Sequence, residues 1–201
     1  MRRGKLGQNG RAWNRGIPPL WLLSDPRRLP DPRAAARRLP PGSAVLARDV
    51  APGLLRPLAA LARARRLHLL LSGQGRDALA LRAGLHLPDR RAAAGILPLL
   101  LARRGARPPL LSVAAHGRAG IARARRLRAD LVILSPVFPT ASHPDAPALG
   151  LLRWAALARR AGRPVVALGG LTSCNSRRLP GLGRLSGHVG AAGWAAIGGL
   201  A

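Results

Sequence analysis

Residues 129–150 read ADLVILSPVFPTASHPDAPALG, and the fold turns on how that stretch begins and where it breaks off. Leu131 to Leu134 form a short, continuous apolar run between Asp130 and the Ser135-Pro136 pair. Such a run, too short for a helix and bounded by turn formers, predicts a buried strand. A strand that is apolar on both faces belongs in a parallel sheet covered on both sides by helices. The loop that follows is long, stiffened by Pro136, Pro139, Pro144 and Pro147, and carries Ser135, Thr140, Ser142 and His143. Loops held by a rigid scaffold carry binding and catalytic groups more often than core segments do. A rigid connector into the next helix accounts for the same residues, and on the residues alone both readings stand.

The same unit of apolar strand, polar loop and helix recurs along the chain. Strands are predicted over 20–23, 44–47, 67–71, 84–87, 110–113, 131–134, 165–168 and 195–198. Helices are predicted over 33–39, 54–66, 76–83, 91–104, 117–127 and 149–161, with a short one over 174–179. Eight short apolar strands alternating with helices, within 201 residues, favour a single small (β/α)8 TIM barrel over an open doubly wound sheet. The barrel occupies residues 17–201. Residues 1–16, basic, glycine-containing and without periodicity, are expected to form a loosely ordered arm.

Composition narrows the function classes. The chain carries 34 Lys and Arg against 7 Asp and Glu, a formal net charge of +27. Lys5 is the only lysine and every acidic residue is Asp. The arginines are spread over nearly every predicted helix, and the aromatic residues available for stacking on bases are four Trp and Phe138. Dispersed charge without a stacking platform points to incidental nucleic-acid binding, not to a dedicated phosphate track. Cys174 stands alone, which excludes an intramolecular disulfide and a multi-cysteine metal site and fits a reducing compartment. Arginine interrupts every hydrophobic segment before the ~20 residues a spanning helix needs, and the prolines at 18 and 19 spoil a signal-peptide core. A cytoplasmic protein without membrane partners is the expectation.

In a (β/α)8 barrel the active site lies at the C-terminal ends of the strands. The candidates there are Asp25, Arg48 with Asp49, the Ser72-Gly73-Gln74-Gly75 loop, Asp89, His116, the loop from Ser135 to His143, Gly169-Gly170 and Gly198-Gly199. The two glycine pairs follow the seventh and eighth strands, where such barrels often bind a phosphate. Glycine lets backbone N–H groups approach an oxyanion without a Cβ in the way. Two tight turns would look the same. Thr140 and Ser142 could add hydroxyl donors, and Arg48 a guanidinium fork, unless it is spent on a salt bridge to Asp49. His116 follows the fifth strand and opens a helix, where an imidazole can shuttle protons near neutral pH, although a lone histidine is often structural. His143, between prolines in the sixth loop, is a softer candidate. Cys174 has no adjacent base in sequence.

With these residues in place the chain resembles the thiamine phosphate synthase and thiazole tautomerase superfamily. The carriers are the 129–150 segment with its Pro-Val-Phe-Pro-Thr core, VVALGG at 165–170 and Asn175. LWLLSDP at 20–26, Arg48-Asp49, GLHLP at 84–88 and VAAH at 113–116 follow in the family's order. The resemblance implies a barrel of thiamine biosynthesis whose partners are small phosphorylated thiamine precursors. It implies a synthase that couples a pyrimidine methyl diphosphate to a thiazole phosphate with release of pyrophosphate, assisted by Mg2+. Thr140, Gly169, Gly170, Ile197 and Gly198 match phosphate-contacting positions, and Arg48 matches the arginine of the second strand. Ser142 and His143 belong to the same loop, His143 standing where the family has a lysine.

The chain also departs from the synthase pattern. Leu46 and Val50 replace the family's glutamine and lysine around Arg48, and Ser72, Gly73 and Gln74 replace an Asn-Asp-Arg turn. Arg91 falls where a second magnesium carboxylate is expected, and Ala114 where a serine holds the diphosphate. The sequence ends shortly after the eighth strand, without the family's closing helix. His116, in contrast, matches the histidine that acts as acid and base in the tautomerase branch, a reaction without metal. Three readings follow: a synthase, a metal-independent tautomerase working through His116, or a catalytically weakened barrel that binds phosphate ligands or polyanions.

Overall fold

The short apolar runs close on one another in chain order, each strand pairing parallel with the next and the last returning to the first. The strands are β1 (Leu20–Leu23), β2 (Ala44–Ala47), β3 (His68–Ser72), β4 (Gly84–Leu87), β5 (Leu111–Ala115), β6 (Leu131–Leu134), β7 (Val165–Leu168) and β8 (Ala191–Ala196). Between them run α1 (Arg33–Arg37), α2 (Pro52–Ala64), α3 (Gly75–Ala80), α4 (Ile96–Ala102), α5 (Arg118–Arg126) and α6 (Gly150–Ala161). This is the expected (β/α)8 barrel. The structure, a computed structural model, describes residues 17–89, 96–140, 147–179 and 191–197. The basic arm over 1–16 therefore lies outside the described residues.

Alternation along each strand divides the core in two. Trp21 and Leu23 of β1, Leu46 of β2, Leu70 of β3 and Leu131 and Ile133 of β6 fill the barrel interior. Leu22, Val45, Leu71, Val132 and Leu134 point outward against the helices. Trp21 is fully buried at the bottom of this interior, and its indole N–H is donated to the Pro18 carbonyl at 2.6 Å, the partner a buried indole requires. On β4 and β5 the inward register positions are polar: His86 and Ser112 lie side by side, with Ser72 of β3 next to His86. One sector of the barrel is thus polar while the rest is apolar.

Helices press on this barrel closely enough to need glycine. A Cβ on Gly120 of α5 would stand 2.7 Å from the Cα of Ala115, so α5 lies almost against the end of β5. Trp154 of α6, fully buried, donates its indole N–H to the Leu134 carbonyl at 3.2 Å and so ties α6 to the end of β6. Both contacts brace strands that carry site residues.

Three expectations need correction. β8 spans Ala191–Ala196 where 195–198 was expected. Its first half, Ala-Ala-Gly, carries little apolar signal, and Gly193 is there because the carbonyls of Pro18 and Pro19 occupy the space of a Cβ, at 2.7 and 2.8 Å. The helix expected over 174–179 is a single 3-10 turn, Ser176–Arg178, because the Asn175 side chain is engaged in the preceding loop. β5 runs on to Ala115, two residues past the expected end, and delivers His116 directly at the strand terminus.

Candidate active site

Two of the segments expected to contact a phosphate meet where β6, β7 and β8 end. Val137 and Phe138 donate their N–H groups to the carbonyls of Leu168 and Gly169, at 2.9 and 3.1 Å. The loop after β6 is thereby laid along the end of β7. Gly169 and Gly170 have φ values of +99° and +62°, conformations that favour glycine. A Cβ on Gly169 would stand 2.6 Å from the Cβ of Pro136, and one on Gly170 would collide with the Pro139 carbonyl. The glycine pair therefore has a double role: it gives the backbone its turn and lets the Pro136–Pro139 loop approach.

The loop after Gly170 is locked by Asn175. Its amide donates to the Gly170 carbonyl at 2.8 Å, its side-chain oxygen accepts the Thr172 N–H at 2.8 Å, and its own N–H is donated to the Thr172 hydroxyl at 3.2 Å. The result is a cavity of about 190 Å3 whose wall includes Arg28, Thr140, Gly169, Gly170, Thr172 and Ile197. Thr140 and Ile197 were expected there. Arg28 and Thr172 were not, although a guanidinium and a second hydroxyl are suited to an anion. Arg28 sits in the turn after β1, closed by mutual backbone bonds of Asp25 and Leu29 at 3.1 and 2.9 Å. Asp25 accepts the N–H groups of Arg27 and Arg28, both at 3.1 Å. Its carboxyl is held below the usual range: burial works in the other direction but is outweighed by those two bonds and the charges of Arg28 and Arg48.

Ser142, His143 and Gly198 lie outside the described residues, as does Arg91.

Across the mouth, His116 is fastened to the start of the same loop. Its Nδ1 lies 2.9 Å from the Ser135 carbonyl and 3.2 Å from the Ser135 hydroxyl, while the Ser135 N–H is donated to Ala115 at 3.1 Å. A carbonyl only accepts, so Nδ1 carries the hydrogen and, in the neutral ring, Nε2 holds the open lone pair. The imidazole is 52% exposed toward the mouth, with the Asp89 carboxylate 4.0 Å from Nε2.

Arg48 ends β2 with its backbone pinned by Ser24, whose hydroxyl accepts the Arg48 N–H at 2.6 Å and donates to its carbonyl at 2.8 Å. Deeper in the polar sector, His86 is buried with Nδ1 2.8 Å from the Ser112 hydroxyl. Burial pushes its pKa down to about 3, aided by the charges of Arg48 and Arg123. This histidine is neutral in the folded protein at any ordinary pH.

The donor set at β3 and β4 does not fit magnesium. Mg2+ is held by carboxylates and phosphate oxygens in near-octahedral geometry. Ser72, Gly73 and Gln74 bring no carboxylate, and Asp89 is turned toward His116. Among the described residues no three His, Cys, Asp or Glu side chains gather as a metal site. Cys174 is a free, exposed thiol. No described helix is long and apolar enough to cross a membrane.

The geometry above meets one family pattern. The family model described as thiamine monophosphate synthase matches residues 51–200, from the start of α2 past the end of β8. The chain belongs to the thiamine monophosphate synthase family. Within that family, the chain is 32% identical over 120 residues to the putative thiamine-phosphate synthase 2 of Aquifex aeolicus, 59% of this chain and 62% of that one. It is 37% identical over 81 residues to the thiamine-phosphate synthase of Chloroflexus aurantiacus, 40% of this chain and 38% of that one. The matched segment thus spans less than two thirds of either curated relative. The structure superposes on the thiamine phosphate pyrophosphorylase from Pyrococcus furiosus with a TM-score of 0.69 and 23% identity, covering 91% of this chain and 87% of the other. At that identity the likeness is one of fold.

Proposed function

We propose that this chain serves thiamine biosynthesis by holding a thiazole phosphate across the barrel mouth, its phosphate in the cavity at the ends of β6, β7 and β8. The observation that carries this reading is that cavity, where Gly169, Gly170, Thr140, Thr172 and Arg28 surround a space of about 190 Å3. The names of the relatives from Aquifex aeolicus and Chloroflexus aurantiacus support the same substrate class.

The reaction that best suits this mouth is a metal-independent isomerisation. The Nε2 of His116 is the open position of a ring whose Nδ1–H is already committed to Ser135. Nε2 takes a proton from one position of a thiazole carboxylate phosphate and returns it at another, while the cavity holds the phosphate still. A second reading is favoured by the family match: coupling of a pyrimidine methyl diphosphate to the thiazole phosphate with release of pyrophosphate. The donor set at β3 and β4 counts against it.

One assay separates the two. The protein is given the thiazole carboxylate phosphate alone in EDTA, and separately the thiazole phosphate with the pyrimidine diphosphate, with and without Mg2+. Isomerised thiazole in EDTA, abolished in His116→Ala, supports the first reading. Thiamine phosphate formed only with Mg2+ supports the second. Absence of binding and of either product sinks both.

A further inference from the structure

We propose that Asp89 is a positioning residue for His116, the two forming a carboxylate–imidazole pair at the ends of β4 and β5; this rests on the proton-transfer reading above. Neither the phosphate cavity nor the resemblance assigns Asp89 a role. Its geometry does. The 4.0 Å between Asp89 Oδ2 and His116 Nε2 exceeds a hydrogen bond, so the carboxylate stands beside the lone pair without occupying it. A substrate proton can still reach Nε2.

One helix sets the separation of the pair. α5 begins two residues after His116 and is seated on β5 by the close approach of Gly120 to Ala115. From the same helix Arg123 reaches back and donates to the carbonyls of Pro88, at 2.5 Å, and Asp89, at 3.2 Å. The histidine is thus fixed from the other side by Ser135 and the aspartate's backbone by Arg123. Asp89 is only 21% exposed and His116 52%, so the carboxylate is the more buried of the pair.

The chemistry needs such a partner. When a proton passes from the substrate to Nε2, the bonding electron pair stays on the thiazole and the ring becomes an imidazolium. Arg48 and Arg123 already bring positive charge to this sector. The Asp89 carboxylate offsets that charge and leaves the proton on Nε2 to be returned to the substrate.

The test does not depend on turnover. Diethyl pyrocarbonate acylates the bare imidazole, and modification of the His116 peptide is followed by mass spectrometry at pH 6. Removing the carboxylate in Asp89→Asn speeds acylation of His116 about two- to fivefold, the upper figure being the ceiling that one charge at this distance sets in a solvated site. Asp89→Glu returns the rate toward that of the wild type, and Asp49→Asn leaves it unchanged. A wild-type acylation rate in Asp89→Asn, with an unaltered melting temperature, overturns the pair; should that variant not fold, a wild-type rate in Asp89→Ser does so. With substrate, Asp89→Asn lowers kcat and leaves KM unchanged. If calorimetry finds no thiazole phosphate binding while the acylation rates shift as stated, the function above falls and the pair remains.

Discussion

The Cβ that Gly170 lacks would fall on the carbonyl oxygen of Pro139 and 2.8 Å from the Cβ of Phe138, so the end of β7 and the loop after β6 touch backbone to backbone. Glycine's left-handed φ at this point is one constraint and the missing side chain a second.

Gly170→Ala therefore meets both. Strain at a positive φ and overpacking against a carbonyl together cost about 2–4 kcal/mol. Because the loop must retreat to make room, binding of the phosphate weakens at least about tenfold, in line with ~1.4 kcal/mol of lost contacts. Denaturant melts and calorimetry with thiazole phosphate measure the two effects. A variant as stable as the wild type with unchanged affinity contradicts this account of the glycine pair.

Asp130 stitches the opposite end of the barrel. It accepts the Leu111 N–H at 2.7 Å and pairs with Arg103, which also donates to the carbonyls of Pro109 and Arg128 at 2.8 and 3.0 Å. Asp130→Ala leaves the Leu111 amide and the guanidinium without that acceptor at a partly exposed site, costing about 1–3 kcal/mol. As the N-terminal face of the barrel is concerned with stability, thiazole phosphate affinity stays at the wild-type value. A loss of affinity without a loss of stability would be the wrong outcome for a structural clamp.

His86 makes the fold sensitive to mild acid. Its folded pKa of about 3 lies below the ordinary histidine value, so between roughly pH 6.5 and 3 the unfolded chain binds a proton that the folded one does not. The stability contribution is complete above about pH 6.5 and is lost as pH falls, by about 2 kcal/mol between pH 6.5 and 5. The carboxyls of Asp25 and Asp31, both lowered, act in a more acidic range. Denaturant unfolding at pH 7.5, 6 and 5 follows the trend, and His86→Asn flattens it. An equally steep decline in the variant would assign the acid limb to other groups.

Much of the barrel was legible in the residues. The runs Leu20–Leu23, Leu131–Leu134 and Val165–Leu168 were recognisable because strands buried on both faces leave an uninterrupted apolar signature between turn formers. β8 was less so, since its first residues, Ala191 to Gly193, owe their strand conformation to pairing with β7. Of the site, Gly169-Gly170, Thr140 and His116 could be named from position along the unit. Arg28 and Thr172 could not, because closing the ring sets β1 beside β8 and brings the turn after β1 to the ends of β7 and β8.

The arginines show the same limit. Their dispersal reads as surface charge, yet Arg65 donates to the Leu39 carbonyl, Arg103 to Arg128, Arg123 to Pro88 and Arg125 to Ala161. Each reaches a backbone oxygen on another segment of the chain, a use of charge that depends on neighbours far away in sequence.

By itself, then, the sequence determined the repeating unit, the count of strands and the family, since these depend on apolar runs and motifs local to the chain. Tertiary structure decided that Gly170 must be glycine for want of space, that His86 is neutral, and that Asp89 faces His116. Those depend on distances between strand ends. Distances of that kind exist only once eight strands have closed and α5 has been seated between them.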